Sequence, residues 1–162
     1  MKKKLLSFFL LFTAVIAGGF SQTTEIIPVE EKTSALDIGF LMGGGSLIGA
    51  DLECLFLKKV GIQMGGGITS LGMGLTFHLK PQINSSYFSL QYMRQGWGEL
   101  GKNSHYASYI APMFNFRAKK IFQAGVGIGY IVDKGNRFYH TNKNAENITM
   151  SLIFNIGVYH FY

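Results

Sequence analysis

The chain has 162 residues, of which 48% are hydrophobic, 14% aromatic and 15% charged, and carries a formal net charge of +6. Lys2, Lys3 and Lys4 supply half of that excess, and no dense Lys/Arg cluster or basic stripe remains downstream to track a nucleic acid. The single cysteine, Cys54, excludes an internal disulfide, and no stretch after residue 21 supplies the roughly 18 apolar residues of a spanning helix.

Taken in chain order, residues 1–21 join the three lysines to an apolar run from Leu5 to Ala17 and to small residues at Gly18 and Gly19. This is the layout of a cleaved signal peptide, here ending at Ser21, and it predicts export through the inner membrane. Cys54 is too far downstream to carry a lipid anchor at such a leader. Residues 22–34 are polar, contain Pro28 and read as a periplasmic linker.

Residues 35–162 then divide into eight predicted strands: Ala35–Met42, Leu47–Leu57, Val60–Ile68, Gly72–Lys80, Ser86–Met93, Tyr106–Arg117, Ile121–Val132 and Ile148–Tyr162. Each is near the length of a tilted membrane-spanning strand. Alternation is plainest in the fourth, where Met73, Leu75, Phe77 and Leu79 interleave with Gly74, Thr76, His78 and Lys80. Side chains alternate across a strand, so one face is greasy and the other small or charged. A soluble sandwich alternates too, with its apolar set inward. The small and charged second set, the leader and the lack of disulfides favour the opposite arrangement. The predicted fold is therefore all-β: a closed, antiparallel, up-and-down transmembrane β-barrel of eight strands, which leaves no unpaired edge in lipid.

Connection lengths agree with that topology. Lys58–Lys59, Pro81–Ser85 and Ala118–Lys120 are short and fall on the predicted periplasmic side. Gly43–Ser46, Thr69–Leu71, Arg94–His105 and Asp133–Asn147 fall on the other, where long loops are expected. Those outer loops present Trp97, His105, Arg137, Phe138, Tyr139 and His140 as candidate contacts for a partner.

The inward set comprises Asp37, Asp51, Glu53, Gln63, His78, Lys80, Gln91, Asn115, Arg117, Gln123 and Asn155. Charges confined in a narrow lumen must pair, so a polar network filling the barrel is expected, with Arg117 meeting Glu53 or Asp51. The same residues could instead line a gated pore. Glycine runs at Gly61 through Gly67 and Gly125 through Gly129 lack the strand–turn–helix context of a nucleotide site. They read as small lumenal residues or as places where the sheet curves sharply. Acyl chemistry would need a nucleophile, a base and an acid in mutual reach; His105, Ser108 and Glu99, or His140 and Glu146, are weak candidates. No catalytic, cofactor or metal residues are assigned, and no cofactor is expected.

The final segment, LIFNIGVYHFY, places Leu152, Phe154, Ile156, Val158, His160 and Tyr162 on one face. Here the chain resembles the small eight-stranded outer-membrane barrels, the class of the OmpA transmembrane domain, OmpX and OmpW. The segment is similar to the assembly signal of such proteins, with Tyr162 in place of the commoner Phe and His160 as a departure. The leader, with Gln22 after the cleavage point, looks like those of Bacteroidetes-type bacteria. The resemblance implies an outer-membrane location, a monomer, and lipid, the barrel-assembly machinery and periplasmic chaperones as partners. It implies a non-enzymatic structural or surface-interaction role. Alternatives are a narrow channel for small or apolar solutes, a lipid A acyl-modifying enzyme, and a secreted soluble barrel that binds a ligand.

Overall fold

The computed structural model describes residues 32–97, 105–118, 121–135 and 148–162. The leader (residues 1–21), most of the linker and the tips of the two long loops lie outside these residues. Eight strands follow one another: β1 (Ser34–Phe40), β2 (Ile48–Leu55), β3 (Val60–Gly67), β4 (Ser70–His78), β5 (Tyr87–Trp97), β6 (His105–Arg117), β7 (Phe122–Lys134) and β8 (Met150–Phe161). Each pairs antiparallel with its sequence neighbour, and β8 returns to β1, from Ala35 opposite Phe161 to Phe40 opposite Ile156. The result is a closed all-β barrel.

Alternation determines what the closed sheet encloses. Sixteen polar or charged residues are buried among the described residues, against thirteen apolar ones, while thirty-one large apolar side chains are exposed. A water-soluble domain distributes them the other way round. The exposed set is contributed by every strand, from Ile38 on β1 through Leu52, Ile62, Leu75, Phe88, Ile110 and Val126 to Phe154 on β8.

The barrel is not equally tall all round. β1 to β4 have 7–9 residues, whereas β5 to β8 have 11–13. β5 runs four residues past the predicted end because Arg94–Trp97 pair with His105–Ser108 of β6. β7 takes in Asp133 and Lys134 across a bulge: Ser108 faces Asp133 and Tyr109 faces Ile131, leaving Val132 as the extra residue. β1 instead stops at Phe40, because the chain turns through left-handed conformations at Leu41, Gly43, Gly44 and Gly45. β4 starts at Ser70 and stops at His78, so Lys80 has left the sheet before its side chain can point inward.

Candidate functional site

The lumen is filled in three layers. Nearest the end that holds Lys32 and Tyr162, Arg117 on β6 is the hub. Its Nε donates to Gln123 Oε1 at 2.5 Å, and one terminal nitrogen donates to Glu53 Oε2 at 2.7 Å and to the Ile83 carbonyl at 2.6 Å. The other donates to both Asp37 oxygens at 2.9 and 2.8 Å. All three guanidinium nitrogens are thereby engaged. The rings of Tyr87 and Tyr159 lie with their centroids 4.8 and 4.9 Å from the guanidinium carbon, adding cation–π contact. Tyr159 also donates its hydroxyl to the Ala118 carbonyl.

Two carboxylates face this one guanidinium, and His78 extends the cluster. Its Nε2 lies 2.9 Å from Glu53 Oε1, and its Nδ1 lies 3.1 Å from Ser85 Oγ. Nε2 carries the proton in that contact, because an ionised carboxylate can only accept. His78 stacks on Tyr87, with centroids 4.9 Å apart. The β4–β5 connection closes the layer from outside: Ile83 is buried beneath it and its carbonyl binds Arg117.

Amides form the middle layer. Gln91 donates to Gln63 at 2.9 Å and to Ser89 at 3.4 Å, Asn115 donates to Ser89 at 3.1 Å, and Asn155 donates to Asn115 at 3.3 Å. Gly125 faces this chain of amides, and a Cβ there would collide with Asn115 Oδ1 and Asn155. That glycine is a space requirement and not a phosphate loop. The third layer is apolar: Met93, Ala107, Tyr109, Ala111, Met113, Ile131 and Ile153 pack together on the taller side of the barrel.

Opposite that cluster, the β1–β2 connection folds into the mouth. Met42 and Ser46 are fully buried, although they sit in a loop. Asp51 accepts from the Gly43 N–H at 3.1 Å, Ser70 donates to the Gly43 carbonyl at 2.6 Å, and Thr69 N–H donates to Ser46 Oγ at 3.2 Å. Gly44 takes a left-handed φ of 78°, and a Cβ there would strike the Leu71 backbone. Only glycine satisfies both constraints.

Of the expected lumenal residues, Asp37, Asp51, Glu53, Gln63, His78, Gln91, Asn115, Arg117, Gln123 and Asn155 are all buried within the barrel. Lys80 is the exception; it is solvent-exposed in the β4–β5 connection. Arg117 pairs with Glu53 and with Asp37, not with Asp51, which is occupied by the loop plug. Leu152, Phe154, Ile156, Val158, His160 and Tyr162 are exposed at the outer face or end of β8. Trp97 closes β5 opposite His105, which is exposed, and Arg137, Phe138, Tyr139 and His140 lie outside the described residues. Ser108 is buried beside the bulge.

Sequence reasoning missed Ser85, Tyr87, Tyr159, Ile83 and the inserted loop. The first three share the polar-face parity of Arg117 or the turn beside it, which was the available signal. Ser85, His78 and Glu53 do place a hydroxyl, an imidazole and a carboxylate in one chain of contacts. The Ser85 hydroxyl, however, also accepts from Lys80 N–H at 3.3 Å and donates to the Lys80 carbonyl at 3.1 Å, closing its own turn. Comparison of the chain with protein-family models, with curated proteins and with solved structures finds no match.

Proposed function

We propose that this chain is an integral outer-membrane barrel of the small eight-stranded class, with a structural or surface-interaction role and no enzymatic one. The observation that carries the reading is the inverted partition of side chains: a charged and amide interior inside an apolar exterior that encircles the closed sheet. Such an exterior is stable against hydrocarbon and aggregates in water. The signal-peptide layout of residues 1–21 and the aromatic end of β8, similar to the assembly signal of OmpA-, OmpX- and OmpW-like proteins, support the same location.

Three fillings in series, the Arg117 layer with Ile83, the amide layer and the Met42–Ser46 loop, favour a closed barrel over a channel. Against an acyl-modifying enzyme stands Ser85, whose hydroxyl is held in its turn by Lys80.

The test is fractionation with detergent-gel mobility. The protein is expected in the outer-membrane fraction, running faster unheated than boiled, because a folded barrel resists cold detergent. Recovery as a soluble periplasmic protein with heat-independent mobility would overturn the proposal.

A further inference from the structure

Outside the lumen, charge of one sign collects at a single rim. Lys32 precedes β1, Lys58 and Lys59 occupy the β2–β3 connection, and Lys80 occupies the β4–β5 connection, all at the same end of the barrel. Lys32, Lys58 and Lys80 are exposed, and Lys59 is half-buried. Among the described residues no Asp or Glu side chain opposes them. Asp37, Asp51 and Glu53 are inside the lumen, and Asp133 belongs to the opposite end of β7.

The opposite rim differs in kind. Asp133 is exposed there and accepts from Tyr106 at 2.9 Å, Arg94 lies 3.9 Å over the Tyr106 ring, and Lys134 donates to the Ile148 carbonyl at 2.7 Å. Charge there is mixed and engaged within the protein.

The lysines also border an apolar surface. Phe56, Leu57, Leu79, Ile121, Phe122 and Tyr162 are exposed at the same end, and Lys32 Nζ sits 4.8 Å over the Phe161 ring. A step from apolar surface to ammonium groups within one side-chain length matches the boundary between acyl chains and phosphates. There the lysine stem lies along hydrocarbon while its head reaches the headgroup. An acidic soluble protein would match the charge but not the adjoining apolar band.

We infer that Lys32, Lys58, Lys59 and Lys80 form a basic collar that binds the phosphates of anionic phospholipids in the leaflet meeting this rim. The inference rests on the membrane reading above and adds an orientation and a lipid class to it. Each lysine near such a surface adds to its attraction for anionic lipid. The attraction weakens as salt shortens the screening length.

The experiment inserts the mature protein into bilayers of phosphatidylcholine alone and of equimolar phosphatidylcholine and phosphatidylglycerol. It then counts by native mass spectrometry the lipids retained on extraction. The wild type is expected to retain phosphatidylglycerol several-fold over phosphatidylcholine at low salt. In Lys58→Gln/Lys59→Gln/Lys80→Gln that ratio falls several-fold, to what Lys32 alone supports, while Lys134→Gln at the far rim keeps it. Heat-modifiable mobility certifies that each variant is folded, and single Lys→Gln variants, scored alike, replace the triple if it is not. A wild type that inserts but shows no preference overturns the collar and leaves the barrel reading standing, as does a folded triple variant that keeps the preference. Failure to insert into either bilayer overturns both.

Discussion

Arg117 concentrates the energetics of the interior in one side chain. Its partners come from β1, β2, β7 and the β4–β5 connection, so it ties together parts of the barrel as far as eighty residues apart in sequence. Removing one member of a buried ionic cluster costs about 3–5 kcal/mol, because the abandoned charges stay desolvated. Arg117→Met is therefore expected to lower unfolding stability in detergent or lipid by about that amount. Arg117→Met/Asp37→Asn/Glu53→Gln should recover most of it. Urea titration followed by tryptophan fluorescence or gel mobility reads both, and an unchanged midpoint for Arg117→Met would remove the hub from the account. Ser85 makes the second residue-scale prediction. A hydroxyl held by its own turn should not react with a fluorophosphonate probe, and labelling abolished by Ser85→Ala would reopen the enzyme reading.

How far the interior was legible depends on what each residue's placement required. Asp37, Glu53, His78 and Arg117 could be assigned to the inner face because parity along a strand is local information. The pairing of Arg117 with Asp37 could not, since it depends on the register with which β8 meets β1. Lys80 was misplaced for a related reason: parity holds only while the strand lasts, and β4 ends two residues earlier.

At the scale of elements, the connections carry what the strands do not. Gly43–Ser46 reads in the sequence as an ordinary outer turn, yet the chain there is swallowed by the barrel mouth. The clue was present in the partners. Gly66 and Gly72 line the wall against which Gly43 and Gly44 rest, leaving room for backbone where side chains would stand. The β4–β5 connection plays the matching part at the other end through Ile83. These two barriers and the amide layer between them predict how conductance responds to mutation. The wild type should be silent in planar bilayers, as should a variant lacking residues 42–46. Conduction should require that deletion combined with Arg117→Ala and Ile83→Gly and with the amide layer cleared by Gln91→Ala and Asn115→Ala. Ion flow through the wild type, or through the single deletion, would mean that the far layer does not seal.

At the scale of the whole molecule, the rim is cut obliquely. With a rise of about 3.4 Å per residue and a tilt near 40°, a strand of eight residues stands roughly 20 Å tall and one of thirteen roughly 34 Å. The shorter height falls below the hydrocarbon thickness of about 30 Å in an ordinary bilayer, and the taller exceeds it. In the membrane proposed for it, the protein would meet matched acyl chains along β5 to β8 and compressed ones along β1 to β4. Lipids on the low side must shorten, or the barrel must lean, and either response costs fractions of a kcal/mol per ångström of mismatch. A second inclusion with a short flank would relieve that deformation by sharing it. In that proposed membrane the unequal strands would turn a single barrel into a local dent in its bilayer, with a direction in the membrane plane that a symmetric barrel lacks.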